Sequence, residues 1–281
     1  MPDVVVTGAS TGIGFAACQV LIRRGFRVFG SVRKHADAER LKDRLGASYA
    51  PLIFDVTDPD SVKEAAAVVK QTTGERRLSG LVNNAGIAVA GPLAYLPLER
   101  FRQQIEVNLL GVHTVTQAFL PLLGTERGRP GDPGRVINIS SVSGRLAVPF
   151  LGAYAASKFG LEGYSDSLRR ELTLFGIKVI LIEPGAVITP IWDKAEGVVV
   201  QQFPNTPYDR PLRLFAEQAM KEAKTGFPPE KLGELIWRVL TTSRPRARYA
   251  IVPRRVIEWS IPLRLPAEFL DHCIARFFKL I

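Results

Sequence analysis

The chain has 281 residues, 46% apolar and 23% charged, with 24 Gly and 20 Pro, which excludes a disordered polymer and suits one large α/β domain with a substantial core. Its two cysteines, Cys18 and Cys273, have no CxxC spacing, and with only three histidines they argue against a disulfide framework or a zinc site and for a reducing compartment. The formal net charge is +10, of which +6 falls within residues 236–281, where nine Arg/Lys face three Asp/Glu.

A nucleic-acid binder would join such a basic region to a helix-turn-helix, zinc-finger or RNP-like pattern, and the sequence has none. A solvated basic face, an anionic membrane surface and an acidic cofactor remain as readings of the charge. The opening MPDVVVTGAS enters a strand-like run directly, without the pattern of a secretory signal. No uncharged apolar run of about 18 residues reads as a membrane span.

In chain order, VVV (4–6) is a β-branched strand, followed by the glycine-rich TGASTGIG and a helical stretch over 15–24. RVFGSV (27–32) reads as a second strand, 37–45 as a helix and YAPLIFDV (49–56) as a third strand. DPDSVKEAAAVVKQT opens with an Asp-Pro helix start. LSGLVNNAG holds a fourth strand, 98–123 a long helical region, RVINIS a fifth strand, 153–175 a helix and IKVILIEPG a sixth strand. RGRPGDPGR (127–135) is a surface connection. Near-continuous apolar strands separated by amphipathic helices predict a single-domain, Rossmann-type, doubly wound parallel sheet of about seven strands, with helices on both faces.

The expected organisation is a dinucleotide-binding core with the catalytic residues over 1–190, a substrate lid over 191–228, the last helix and strand over 229–252, and an amphipathic C-terminal extension over 253–281. Segment 190–228 carries Pro190, Pro204, Pro207 and Pro211 around a short helical piece, 212–223. A segment of that length beyond the sixth strand suits a lid, because ligands of open α/β sheets sit past the strands' carboxyl ends.

The glycine loop carries the first chemistry. Gly8, Gly12 and Gly14 let the backbone turn tightly and approach a pyrophosphate at a helix N-terminus. The second strand then ends in Val32, Arg33 and Lys34, with no acid before Asp37. An acid there would bond a ribose 2′-hydroxyl, whereas an Arg accommodates a 2′-phosphate, so NADP(H) is favoured over NAD(H). YAASK (154–158) supplies the second chemistry. Lys158 stands one helical turn from Tyr154, and its charge, with a nicotinamide cation, is expected to lower the phenol's pKa from near 10 toward neutrality. Tyr154 then exchanges a proton with a carbonyl or alcohol oxygen, which Ser141 also bonds.

The GxxxGxG spacing after Thr7, LVNNAG (81–86), FDVTD around Asp55, the order Asn108, Ser141, Tyr154, Lys158, and PGAVITP (184–190) together resemble the short-chain dehydrogenase/reductase family over residues 3–190. That resemblance implies the catalytic set Asn108, Ser141, Tyr154 and Lys158, with Asn108 holding a water in a relay to Lys158. It implies cofactor contacts from Thr7, Gly8, Ser10, Thr11, Gly12, Ile13, Gly14, Arg33, Lys34, Asp55 (at the adenine), Val56, Asn83, Ala85, Gly86, Tyr154, Lys158, Pro184, Gly185, Val187 and Thr189. Ser140, next to Ser141, is the neighbouring choice for the serine.

FPPEKLGELIWRVLTTSRPRARYAI (227–251) looks like the branch holding hydroxysteroid and retinol dehydrogenases, with YAIV as a seventh strand. By that analogy Ile191, Trp192, Phe203 and Phe215, with Ser141 and Tyr154, would line a site for a small lipophilic alcohol or carbonyl compound. In the tail, Leu263, Leu265, Phe269, Leu270, Ile274, Phe277 and Phe278 recur at helical intervals. Pocket closure, packing on a second subunit and contact with a membrane surface all fit that stripe. The leading reading is an NADP(H)-dependent alcohol/carbonyl oxidoreductase without a metal or nucleic-acid partner. It is expected in the cytoplasm, with surface membrane association open, and by resemblance as a dimer or tetramer. The alternatives are a non-catalytic NADP(H)-binding regulator and an epimerase or dehydratase on the same scaffold.

Overall fold

The computed structural model describes residues 1–126, 128–190, 203–253 and 255–281. Seven parallel strands form one sheet in the order β3-β2-β1-β4-β5-β6-β7. They are β1 (Asp3–Val6), β2 (Arg27–Val32), β3 (Tyr49–Ile53), β4 (Gly80–Asn83), β5 (Arg135–Ile139), β6 (Lys178–Pro184) and β7 (Arg248–Ile251). The order reverses at β1 and β4, so the crevice beyond their carboxyl ends is where such a sheet takes a ligand.

One face is covered by α1 (Gly12–Arg23), α2 (His35–Leu45) and, from further along the chain, α8 (Pro229–Thr241). Val4, Val6, Val28, Ile137, Ile180 and Ile182 meet Leu21, Leu41, Ile236 and Val239 there. The opposite face is covered by α3 (Pro59–Thr73), α5 (Gly111–Leu120) and α6 (Gly152–Glu171), with α4 (Leu98–Ile105) packed against α6; Val5, Leu81, Val136 and Val179 pack there on Val69, Phe119 and Leu168. α7 (Asp209–Thr225) and α9 (Ala267–Phe277) lie outside this sandwich.

Local chemistry explains where several elements start and stop. Asp58 caps α3 by accepting from the backbone N–H groups of Asp60 and Ser61, and Pro59 fills the first helical position. β3 ends at Ile53 rather than at 56, because Asp55 turns the chain by accepting from Thr57 N at 3.0 Å and Thr57 Oγ1 at 2.8 Å. α7 exceeds the expected 212–223 at both ends. Arg213 bonds Asp209 one turn back, and Pro211 sits in the first turn, where its missing N–H has no partner to lose.

By length and composition alone the helical run Leu98–Thr125 is long and apolar enough to cross a membrane, although it is not an uncharged run. Here the run lies against the sheet, with Gln104, Asn108, Val115 and Phe119 buried. Its ladder widens to π geometry over Glu106–Leu110, where Gly111 N reaches back to Glu106 O.

Candidate active site

The loops at the carboxyl ends of β1, β4, β5 and β6 converge on one side of the sheet. Gly8 and Gly12 hold left-handed φ values of 68° and 57°, which a side chain rarely adopts. Gly14 is needed for closeness instead: a Cβ there would lie 2.2 Å from Gly8 O and 2.5 Å from Asn84 Nδ2. Thr7 ties this loop to the next strand, since its hydroxyl accepts from Asn84 N and Ala85 N, both at 2.9 Å. Asn84 returns its amide to Thr7 O at 2.9 Å and Gly8 O at 3.2 Å. Thr189, at the end of the segment after β6, closes over Gly12 from the other side.

These features fit a dinucleotide. α1 begins without a side-chain cap on Thr11 and without an acid in its first turn, so its leading N–H groups are free to face a pyrophosphate. Arg33 and Lys34 are exposed just past β2, with Arg33 Nη1 3.8 Å from Asp55 Oδ2. Ser31 holds the loop from below, accepting from Gly8 N at 3.0 Å. Val56, Gly86, Gly185 and Val187 lie in the segments that follow β3, β4 and β6, and Pro184 is the last residue of β6. Asn83 lies apart from that set: its amide nitrogen donates to Thr116 Oγ1 at 2.9 Å and Asn138 Oδ1 at 2.8 Å, tying β4 to β5 and α5.

Across the crevice, α6 presents Tyr154 and Lys158, both buried. Lys158 Nζ donates to Ile139 O at 2.8 Å. Ser141, at the end of β5, caps a short turn by accepting from Ser143 N at 3.0 Å, and its hydroxyl meets that of Tyr154. Ser140 is turned away toward Gly144, so Ser141 is the serine beside the phenol.

Asn108 sits at the π segment with its amide engaged. It donates to Ile87 O at 3.0 Å and Ser157 Oγ at 3.2 Å, and accepts from Ile87 N at 2.9 Å. The side chain thus fixes the loop after β4 against α6. Ser157 completes the link by donating to Tyr154 O at 2.7 Å. Neither Ser157 nor Gln104, which grips Ile87 O and Val89 N, was legible beforehand, although both share a helix with a predicted residue.

Without a nicotinamide, burial acts against the expected lowering of the phenol's pKa. Burial pushes the Tyr154 phenol above its ordinary value, and its bond with Ser141 only partly opposes this. Burial likewise depresses the Lys158 amine to about 8, against the pull of the Glu162 carboxylate. The protein's own groups therefore do not bring the phenol to neutrality. Both groups are buried, and for each burial is the larger effect.

An apolar wall faces Tyr154. Phe150, Leu151, Phe203, Leu212, Phe215 and Phe278 form one buried cluster with it. Phe150 holds a left-handed φ of 68° just before α6, a strained geometry that turns its ring among Tyr208, Phe215 and Phe278. Phe203 approaches Gly91, where a Cβ would lie 2.7 Å from its ring. Of the four expected pocket residues, Phe203 and Phe215 meet here, while Ile191 and Trp192 lie outside the described residues. The tail joins the cluster through Phe278 and Ile274, so one side of it closes over the site.

A doubly wound sheet, a glycine loop at its first β–α turn and a Ser/Tyr/Lys set across the crevice define an NAD(P)H-dependent oxidoreductase. The profile described as short chain dehydrogenase matches residues 3–197, and the chain belongs to that family. An NADPH-dependent 3-dehydrocapnine reductase of Ornithobacterium rhinotracheale is 38% identical, covering 99% of this chain and 98% of that protein. Human retinol dehydrogenase 5 is 35% identical over 95% of this chain and 86% of its own length. Among solved structures, a short-chain dehydrogenase from Streptomyces avermitilis superposes with a TM-score of 0.75 at 27% identity, covering 99% of this chain and 96% of that one.

Proposed function

We propose that this enzyme interconverts a bulky lipophilic alcohol and its ketone or aldehyde, and that it uses NADP(H) in preference to NAD(H). The apolar cluster around Tyr154 carries the substrate reading: an aliphatic or alicyclic body would replace little water there, with Tyr154 and Ser141 as the polar groups at the reacting oxygen. Arg33 and Lys34 support the cofactor reading, as do the words "NADPH-dependent" in the name of the Ornithobacterium relative. The retinol dehydrogenases among the relatives favour a lipophilic substrate.

The bound nicotinamide would supply or accept the hydride. Tyr154 gives its phenolic proton to the carbonyl oxygen, or takes one from the alcohol in reverse. Ser141 donates a hydrogen bond to the same oxygen as charge builds on it. Lys158 keeps a positive charge behind the phenol, and Asn108 with Ser157 fixes the helix that carries both.

In the tail, Phe269, Phe277 and Ile281 are exposed, with Arg276 and Lys279 close by in the chain, which supports peripheral contact with an anionic membrane surface. The deciding experiment compares a panel of lipophilic ketones and alcohols with NADPH and NADH. Turnover of bulky apolar carbonyls with NADPH is expected, and preference for small polar substrates or for NADH would overturn the reading.

A further inference from the structure

Behind Lys158 lies a second group of ionisable side chains that the reaction above does not use. Glu162 follows Lys158 by one turn of α6, and Glu183 stands on β6 immediately before Pro184. Both are buried, at 5% and 2% exposure, and they come within hydrogen-bonding reach of each other. Arg248 on β7 faces them. Its Nε bonds Glu162 Oε2 at 2.9 Å and lies 3.4 Å from Glu183 Oε1, while its Nη2 bonds Asp166 Oδ1 at 2.8 Å. Arg169 also pairs with Asp166, and Arg145 acts on Glu183 from the loop after β5. With Lys158, these are the charged groups that face the two carboxyls from α6, β7 and that loop.

One guanidinium thus meets three carboxylates, and it cannot satisfy them all. Glu162 Oε1 and Glu183 Oε1 are each buried with no hydrogen-bond partner. A buried carboxylate oxygen facing another without a donor is strongly unfavourable, and one proton between the two removes the conflict. Gly144 seals the spot, since a Cβ there would lie 3.0 Å from Ser140 Oγ and 3.1 Å from Glu162 Cγ.

We propose that Glu162 and Glu183 share one proton, and that this carboxyl pair acts as a positioning element that keeps Lys158 in its ammonium form. Glu183 carries the proton, and the charge on Glu162 offsets part of the burial that drives the amine toward neutrality. The directions agree: burial first and the Glu162 charge second push Glu183 up to about 7, and Glu162 opposes the fall of Lys158 to about 8. As pH rises the shared proton leaves to solvent, the pair becomes doubly anionic and draws on Lys158 and Arg248 more strongly. The inference rests on Lys158 being the amine of the reaction, so its test is read on protein without cofactor or substrate.

Infrared difference spectroscopy of the wild-type protein across neutral pH is expected to show a protonated-carboxyl C=O band, shifted in heavy water and bleaching near the pH at which Glu183 ionises. The band should be absent from Glu183→Gln. In parallel, NMR of ¹³C-lysine-labelled protein, with the Lys158 signal assigned by Lys158→Arg, follows the amine. Glu162→Gln should lower its titration by about one pH unit, whereas Glu183→Gln should leave it unchanged or raise it. A merely structural pair would move it equally in both variants. Absence of the band from the wild-type protein, or equal displacement by the two substitutions, overturns the proposal. The wild-type spectrum decides even if a variant does not fold. A failed search for carbonyl turnover would count against the reaction and leave these spectra as they are.

Discussion

Lys158 Nζ lies 5.7 Å from the centroid of the Tyr154 ring and donates to the Ile139 carbonyl, so the amine is fixed behind the phenol by the end of β5 as well as by its own helix. Tyr154→Phe removes the exchangeable proton and keeps this packing. Carbonyl reduction should fall by about 10²- to 10⁴-fold, the usual share of a general acid, while NADPH binding measured by calorimetry persists. Equal loss of binding and rate would show the ring to be structural.

The amine gives a pH prediction whose sign can be worked out. Its folded-state value is depressed to about 8 from an ordinary 10.5, so the unfolded chain holds that proton more tightly. From this group alone, unfolding free energy is lowest below about 8 and rises with pH between the two values. Denaturant midpoints of wild type and Lys158→Met should converge as pH increases through that window. A gap independent of pH would mean that Lys158 does not titrate there.

Gly14→Ala tests the closeness of the first turn. The added Cβ has backbone on one side and the Asn84 amide on the other, so the loop must open. NADPH affinity should fall beyond detection by fluorescence titration, with a stability loss of about 1–3 kcal/mol, the cost of overpacking.

Arg33→Asp places an acid where a 2′-phosphate would lie. The ratio of kcat/KM for NADPH over NADH should drop by about 10- to 100-fold, the scale of one hydrogen bond to a charged group. An unchanged ratio would remove Arg33 from cofactor selection.

Phe278→Ala opens the apolar cluster from the tail side. Loss of a buried aromatic ring should cost about 3 kcal/mol in chemical denaturation. It should also raise KM for bulky apolar substrates more than for small ones. A uniform change across substrate sizes would make Phe278 a packing residue only.

The pattern of apolar strands and helices, the glycine loop and YAASK was enough to read the doubly wound sheet, the cofactor side and the acid–base residues, because each depends on local spacing: period two or 3.6, a tight turn, one helical turn. Boundaries drifted where a side chain closed a turn, as Asp55 does after β3. The amides of Asn108 and Asn83 are tied by contacts 21 and 55 residues away, which local spacing does not show.

What the sequence determined by itself is the order of the elements and the chemistry each loop carries. Only the tertiary structure decided that a tail helix and Phe278 close the apolar wall, and that Glu162 and Glu183 meet behind Lys158. These facts depend on which distant segments desolvate one another. Desolvation, which here lifts Tyr154 and lowers Lys158, is a property of the surroundings and leaves no local trace in the chain.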